Sequence, residues 1–208
     1  MRDFPAEFHL ARSRASHNYF FAGYTMARTL PTMRQDLERI LSNKGTARIL
    51  LPNPDNAALL QMIATVSGMR SSNPERIATH IRYSLDLAGD LAALGDLNVR
   101  TTDVLPRLGI NALDVDQPDA QLMIQIYEFR PIGEAAPILI LSRSDGRWFD
   151  HFQQQIERLW EAGTPWAPIQ DARALESVPM EVSPRQAVQP RHTLPSKGDA
   201  APNAAVAD

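Results

Sequence analysis

The segment "GTARILLPNPDN", from Gly45 to Asn56, combines three signals that together favour an α/β fold. Its glycine follows a helical pattern and is a typical helix stop. The run "TARILLP" is short and largely apolar, as expected of a strand that is covered on both faces of a sheet. Asp55 or Asn56 can then cap a following helix. Helix, buried strand and helix in direct succession predict helices packed on a sheet.

The rest of the chain continues this alternation on both sides of the segment. "NYFFAGYT" (Asn18–Thr25) is typical of an aromatic strand, and Met33, Leu37, Ile40 and Leu41 share one face of a helix. Short links between the later strands predict at least one antiparallel pair. The expected fold is therefore a three-layer α/β/α domain with a mixed sheet. The later segments are helices over 53–68, 71–95 and 147–163, and strands over 97–103, 110–116, 120–129 and 137–143.

A change of composition near residue 164 divides the sequence into two parts. Residues 1–163 hold the predicted α/β domain, with an N-terminal helix within residues 1–16. Residues 164–208 are rich in proline and alanine and have no periodic apolar face, so they cannot bury enough surface to offset their ordering entropy. We expect a disordered tail there, from which Trp166 and Ile169 alone can dock on the domain.

Composition narrows the class of protein. The chain has 208 residues, of which 44% are hydrophobic, which suits one ordinary domain with an appendage. Its net charge of -3, with both signs intermixed, predicts no broad basic surface, so nucleic acid is not expected as a partner. The absence of cysteine excludes disulfides, thiol nucleophiles and cysteine-bound zinc. No run resembles a signal peptide or a membrane span, so we expect a cytoplasmic protein with no membrane partner.

Motifs for the common cofactors are missing from the sequence. It contains no G-x-G-x-x-G, no G-x-x-x-x-G-K-[ST], no G-x-S-x-G and no H-x-x-x-H, so no cofactor and no metal are expected. One acidic group stands out, formed by Asp114, Asp116 and Asp119. On a strand, Asp114 and Asp116 would point to the same side and could share a divalent cation. Alternatively, "DQPD" is an ordinary turn in which aspartate and proline are favoured.

The order of these segments resembles that of a known family, the phospholipase D-like domains in a single copy. The most specific features are the pattern G-x-x-x-x-LLxxP, which begins at Gly45, and the closing helix "WFDHFQQQIERLWEAG". The similarity covers residues 16–163, and it is closest to divergent, uncharacterised versions in bacterial regulators and standalone proteins. It implies a phospholipase D-like α/β fold.

The chemistry of that family rests on H-x-K-x-x-x-x-D, in which the histidine attacks phosphorus and the lysine holds phosphoryl oxygens. On the strand "LGINALDVD", with Asp116 in the final position, the histidine falls on Gly109 and the lysine on Asn111. Glycine offers no nucleophile and asparagine brings no charge. No histidine or lysine lies between Tyr83 and Asp150. The resemblance therefore implies that phosphodiester cleavage by the family mechanism is lost, with no catalytic residue, and that the chain is not an enzyme of that kind.

What the resemblance leaves is the cleft at the ends of the strands. It implies a homodimer, since single-copy members pair two subunits across a two-fold axis. The ligand expected there is a small anionic or nucleotide-like molecule, because paired arginine donors hold phosphate or carboxylate. The residues expected to bind it are Tyr24, Thr25, Asn53, Arg107, Asn111, Asp116, Tyr127 and Arg130.

Three functions of different classes remain open. The favoured one is a non-catalytic ligand-binding, sensory or regulatory domain on a degenerate phospholipase D-like scaffold. The second is a metal-assisted phosphodiesterase or nuclease whose displaced chemistry uses Asp114, Asp116 and Glu128. The third is a structural module that recruits a protein partner through its proline-rich tail. The missing histidine and lysine favour the first, because function follows from a site and not from a fold.

Overall fold

The computed structural model describes residues 5–67, 73–130 and 137–167. These residues form five α-helices and seven β-strands in one sheet. In chain order the elements are α1 (Ala6–Arg14), β1 (Asn18–Ala22), α2 (Thr29–Ser42), β2 (Thr46–Pro52), α3 (Ala57–Ser67), α4 (Pro74–Ala92), β3 (Asp96–Thr102), β4 (Leu108–Leu113), β5 (Gln121–Ile126), β6 (Ile138–Ser142), α5 (Arg147–Glu161) and β7 (Thr164–Pro165).

The sheet has the strand order β6-β5-β4-β1-β2-β3-β7. β1, β2 and β3 are parallel to one another, whereas β4, β5, β6 and β7 each pair antiparallel with a neighbour. β1 is central, so that its Phe21 lies between Ile49 of β2 and Asn111 of β4. The predicted mixed sheet is thus confirmed, and so is the expectation of an antiparallel pair.

Helices cover the two faces of the sheet unequally. Residues of α1 to α4, such as Phe8, Leu37, Ile63 and Ile81, share one buried cluster with one face of the strands. Among the described helices, α5 is the one that packs on the opposite face, where its Phe149 and Ile156 are buried. This arrangement fits the predicted α/β/α layering, because alternate residues of β1, β2, β4 and β5 belong to the two clusters.

Local sequence explains where the longest helix begins. The side chain of Asn73 accepts a hydrogen bond from the backbone N–H of Arg76 at 2.7 Å, and Pro74 occupies the first turn, where its missing N–H has no intrahelical partner to lose. The helix then buries Ile77, Ile81 and Leu85 along one face, as the 3.6-residue period requires.

Two predicted boundaries are wrong in an informative way. The strand predicted over 110–116, called the motif strand because the H-x-K-x-x-x-x-D pattern aligns with it, is β4 and ends at Leu113. It stops there because Asp114 adopts a left-handed backbone conformation with φ of 48° and turns the chain. At the other end of the domain, Thr164 and Pro165, which were assigned to the disordered tail, pair with β3. The N–H of Trp166 also donates to the carbonyl of Val99 at 3.0 Å, so this tryptophan docks as expected. From residue 168 onward the predicted tail, including Ile169, lies outside the described residues.

One edge of the sheet is apolar on both sides. β6 has the sequence "ILILS", and its Leu139 pairs with Ile124 on the α5 face while Ile140 pairs with Met123 on the other. Leu139 is 42% exposed. Within the described part of the chain, no helix is long and apolar enough to cross a membrane.

Candidate functional site

The topology brings several of the expected ligand-binding residues to one end of the sheet, the edge formed by the carboxyl ends of β1, β2 and β3. The parallel strands β1, β2 and β3 all end there, and β4 begins there because Ala22 pairs with Ile110. β5 ends at the same edge, since Ile126 pairs with Leu108. Tyr24, Thr25, Asn53, Arg107 and Tyr127 therefore follow or precede strands at this edge. Of the other three expected residues, Asn111 lies within β4, Asp116 follows the far end of that strand, and Arg130 contacts the last turn of α3.

Two of these residues, Tyr24 and Tyr127, stack on each other. Their ring centroids are 4.1 Å apart with an angle of 21° between the planes. The backbone N–H of Tyr24 also points to the Tyr127 hydroxyl oxygen at 3.4 Å. Burial raises the pKa of both phenols, so both stay neutral under physiological conditions. The pair is therefore an uncharged aromatic stack beside the ends of these strands.

The Tyr127 hydroxyl lies directly above two glycines. A Cβ atom added to Gly109 would stand 2.7 Å from that oxygen, and a Cβ atom added to Gly23 would stand 2.8 Å from it. Neither position has room for a side chain while Tyr127 stays in place. Gly109 is also the residue that the phospholipase D-like resemblance aligns with the family's histidine. The space that a nucleophile would need there is filled by a phenol from the next strand.

Asn111 is a core residue and does not line a site with either arginine. Only 3% of its surface is exposed, and its side-chain oxygen accepts a hydrogen bond from the Tyr19 hydroxyl at 2.7 Å. The same hydroxyl lies 3.2 Å from the sulfur of Met33 in α2. Burial raises the pKa of Tyr19, which keeps the phenol a hydrogen-bond donor. Ligand binding by Asn111 stays a prediction; in the structure this buried amide satisfies a buried hydroxyl.

Asp114 serves the backbone. Its carboxylate accepts hydrogen bonds from the N–H groups of Ser16, His17 and Asn18 at 2.9, 2.8 and 2.8 Å. Only 5% of its surface is exposed. Because the strand has already ended, Asp114 and Asp116 do not form the same-side pair that the alternating pattern predicted.

Asp116 lies beside the start of β1, far from the strand ends that carry the two stacked tyrosines. It is exposed, and one carboxylate oxygen is 3.3 Å from the side-chain nitrogen of Asn18. Among the described residues, no group of three or more histidine, aspartate or glutamate side chains could hold a metal ion. The acidic group of the motif strand thus supports the turn interpretation.

The remaining expected residues take part in loop hydrogen bonds. Asn53 and Asn56 both donate to one carboxylate oxygen of Asp103, at 3.0 and 2.9 Å. The backbone carbonyl of Thr25 accepts from the Ser84 hydroxyl at 2.6 Å. These bonds fix the loops that follow β1, β2 and β3.

The two arginines expected to hold an anion lie apart from this network. Arg107 is exposed, and only its carbonyl takes part, as acceptor from the N–H of Tyr127 at 3.3 Å. Arg130 binds the last turn of α3: its N–H donates to Val66 at 2.7 Å and its side chain to Thr65 at 3.3 Å. No contact in the described residues joins the two guanidinium groups into an anion site.

Sequence reasoning missed a cleft that lies beside β3, on the side of the sheet opposite to β6 in the strand order. We call it the β3-edge cleft; it has a volume of about 420 Å³. Only Arg100 and Thr101 of β3 pair with β7, so on the side away from β2 the first half of β3 has no strand beside it in the described chain. The one sequence signal was Trp166, which stands outside the closing helix. Residues that line the cleft include Arg48, Leu97, Arg100, Trp160, Pro165 and Trp166.

The two arginines of the β3-edge cleft differ in charge balance. Both nitrogens of the Arg48 fork donate to Glu157, each at 2.7 Å, and this pairing holds the pKa of Glu157 below its usual value. Arg100 lies over the Trp160 ring, 4.6 Å from its centroid, and donates to the carbonyl of Trp160 at 2.7 Å. No carboxylate in the described residues lies within ion-pair distance of Arg100. The cleft therefore carries one uncompensated positive charge on an aromatic wall.

Comparison with known proteins gives little to set beside this geometry. No family model matches the chain, and no curated protein matches it. Among solved structures it is similar to TrmBL2, an archaeal chromatin protein described as showing a novel mode of DNA binding. The identity is 15% and the TM-score 0.43, over 78% of this chain and 46% of that protein. The chain thus spans less than half the length of that protein, and a likeness this distant carries no argument about what the chain binds.

The expectation that nucleic acid is not a partner is withdrawn, because it conflicts with the DNA binding described for TrmBL2. So distant a likeness does not assign DNA binding to this chain. The expectation rested on the net charge of -3, which is a sum over the whole chain. Such a sum does not describe the local surface that a nucleic acid would meet.

Proposed function

We propose that this chain is a non-catalytic binding domain, built on a degenerate phospholipase D-like scaffold, that recognises a small anionic ligand. One observation carries the non-catalytic part. The position aligned with the family's nucleophile is Gly109, and the Tyr127 hydroxyl would lie 2.7 Å from any Cβ placed there. The position aligned with the lysine is Asn111, which is buried against Tyr19. Neither residue can attack or hold a phosphoryl group in this arrangement.

The geometry also weighs against relocated metal chemistry. Asp114 accepts three backbone hydrogen bonds, so its carboxylate is committed to the start of β1. Asp116 is bound by Asn18 beside the same turn. A Mg²⁺ ion is held through carboxylate oxygens that are free to coordinate it, and those of Asp114 are already occupied by backbone N–H groups. The binding function is therefore the better supported proposal.

A phosphodiesterase assay tests the non-catalytic part. The full chain is incubated with bis(p-nitrophenyl) phosphate in EDTA, Mg²⁺ or Mn²⁺, and release of p-nitrophenolate is measured. We expect no turnover above buffer in any of the three. Turnover that is lost in Asp116→Ala would overturn the proposal in favour of the metal-assisted enzyme.

A thermal-shift screen tests the binding part. A ligand that binds the native state raises the melting temperature in proportion to the logarithm of its concentration. We expect a shift with at least one aromatic or nucleotide anion, such as AMP or 1-naphthoate, and none with inorganic phosphate alone. Failure of every anion in the screen would remove the binding function.

We further propose a homodimer, by analogy with single-copy members of the family. β6 gives this proposal a physical basis, because an apolar edge strand is a ready surface for a second chain. Light scattering coupled to size exclusion at two concentrations measures the mass directly. A monomer at both concentrations would contradict it.

A further inference from the structure

The β3-edge cleft has the size and lining of a small-molecule site. Its volume of about 420 Å³ falls in the range of known ligand pockets, which runs from roughly 300 to 1,000 Å³. Its walls come from β2, β3, α4, α5 and the chain after α5, so five parts of the chain converge on it. The cleft lies apart from the stacked pair of Tyr24 and Tyr127, and none of the eight residues expected to bind a ligand lines it.

Two aromatic rings give the cleft an affinity for flat groups. Trp160 supplies one wall and packs edge-on against Phe20, with ring centroids 6.3 Å apart. Trp166 supplies another, and its backbone N–H donates to the carbonyl of Val99, which fixes the main chain at this residue. Tryptophan offers a large apolar area together with a rigid ring. A planar ligand can therefore stack on Trp166 and contact the part of Trp160 that Arg100 and Arg48, 4.6 and 5.4 Å from its ring centroid, leave uncovered.

Arg100 gives the cleft a preference for negative charge. Its Nη1 atom donates to the Trp160 and Gly163 carbonyls at 2.7 and 3.4 Å, which fixes the guanidinium over the indole. The guanidinium has five N–H donors, and within the described residues its Nε and Nη2 atoms have no hydrogen-bond acceptor. A carboxylate or phosphate that approaches this side meets a preorganised fork. The neighbouring Arg48 adds no net charge, because Glu157 neutralises it.

We propose that the β3-edge cleft binds a small planar anion, an aromatic or heteroaromatic body with one carboxylate or phosphate, in which Trp160 and Trp166 contact the ring and Arg100 holds the charge. This inference rests on the proposed binding function and specifies where and what the domain binds. Small residues on α4, Gly89 and Ala92, leave the space in which the ring is accommodated.

The test compares an anion with its neutral analogue. Binding of 1-naphthoate, 1-naphthalenemethanol and AMP to the full chain is measured by isothermal titration calorimetry. We expect 1-naphthoate to bind at least tenfold more tightly than the alcohol, because a hydrogen-bonded charge pair contributes about that factor. In Arg100→Met we expect this preference to vanish. Arg147→Met is the matched control. The guanidinium carbon of Arg147 also lies over a tryptophan, 5.8 Å from the ring centroid of Trp148, but neither residue lines the cleft.

A second variant protects the test against misfolding, because Arg100 also binds the end of α5. Ala92 is exposed on α4 and lines the cleft, so Ala92→Trp fills the space while Arg100 stays intact. We expect it to weaken 1-naphthoate and the alcohol alike, by about tenfold or more. Unchanged binding of both compounds in Ala92→Trp, or an unchanged anion preference in a folded Arg100→Met, would overturn the assignment.

The outcomes separate this inference from the proposed function. If anion binding is unchanged in both variants, the ligand binds outside the cleft. The proposed function as a non-catalytic binding domain would then still stand. Phosphodiester turnover would overturn the proposed function whatever the cleft binds. A decathymidine strand that binds more tightly than AMP, in a manner lost in Arg100→Met, would overturn the small-molecule assignment in favour of single-stranded nucleic acid, since Arg and Trp also stack on bases.

Discussion

The hydroxyl of Tyr127 stands where a side chain at Gly109 would have to go, 2.7 Å from a Cβ atom on that residue. Gly109 comes from β4 and Tyr127 follows β5, so the two are neighbours across an antiparallel pair. The glycine and the phenol are therefore one structural unit. Replacing either alone changes the space available to the other.

This relationship predicts that Gly109→Ala destabilises the protein by about 1–3 kcal/mol, the usual range for overpacking a closed site. Urea denaturation monitored by circular dichroism gives the free energy of unfolding. In the double variant Gly109→Ala/Tyr127→Phe, the nearest clashing atom is gone, and we expect part of that loss to be recovered. Equal destabilisation in the single and the double variant would mean that Tyr127 does not fill this space.

Asp114 and Asp116 provide a matched pair for a second prediction. Asp114→Asn leaves fewer acceptor sites for three backbone N–H groups, and we expect a loss of about 1–3 kcal/mol in the free energy of unfolding. Asp116→Asn alters an exposed group, and we expect a change within about 0.5 kcal/mol. Chemical denaturation of both variants is the measurement. A reversed order of effects would contradict the anchoring role of Asp114.

The buried pair of Asn111 and Tyr19 predicts a non-additive result. Asn111→Leu removes the acceptor of a buried hydroxyl, and we expect a loss of about 1–3 kcal/mol. Adding Tyr19→Phe removes the orphaned hydroxyl as well, and the double variant should be more stable than Asn111→Leu alone. A double-mutant cycle from urea denaturation measures the coupling. A coupling close to zero would show that the hydrogen bond does not contribute to stability.

Glu157 predicts a dependence on pH. Hydrogen bonds from Arg48 lower the pKa of Glu157 below its ordinary value of 4.5. The stabilisation is therefore fully present above pH 4.5 and is lost as the pH falls through the lower pKa of the folded state. We expect Glu157→Gln to be less stable than the wild type at pH 7 and equal to it at strongly acidic pH. The difference will be small, because the carboxylate is 47% exposed and screened by solvent.

Urea denaturation of the wild type and Glu157→Gln at pH 7 and at acidic pH measures this difference. Glu161→Gln serves as the control, since Glu161 is an exposed residue on the same helix. A gap between wild type and Glu157→Gln that widens on acidification would contradict the assignment of the stabilising partner.

Periodicity and chain order predicted the layers of the fold, because each helix carries its apolar face in its own sequence, as Met33, Leu37 and Ile40 do. The details of the site depend on contacts between distant parts of the chain. Asn111 is hydrogen-bonded to Tyr19, which lies 92 residues away in the sequence, and Asp114 to His17, which lies 97 residues away. A local pattern cannot distinguish a polar residue that awaits a ligand from one that satisfies a remote partner.

The same limit explains the missed β3-edge cleft. Arg100 and Trp160 lie 60 residues apart, and each has an ordinary place in its own element. Only when β7 pairs with the second half of β3, and Trp166 reaches Val99, does a concave surface form beside the first half. Sequence reasoning identified Trp166 as a residue able to dock but not the space that its docking encloses.

The anchoring of Ser16, His17 and Asn18 by Asp114 also selects the register of the central strand. β1 is buried on both faces, so a slip of two residues against β4 would still place apolar side chains toward each layer. Such a slip moves the backbone by about 7 Å, which would carry all three N–H groups away from the carboxylate. The slipped pairing would thus lose three hydrogen bonds to the buried Asp114, although the burial of apolar side chains alone would permit it.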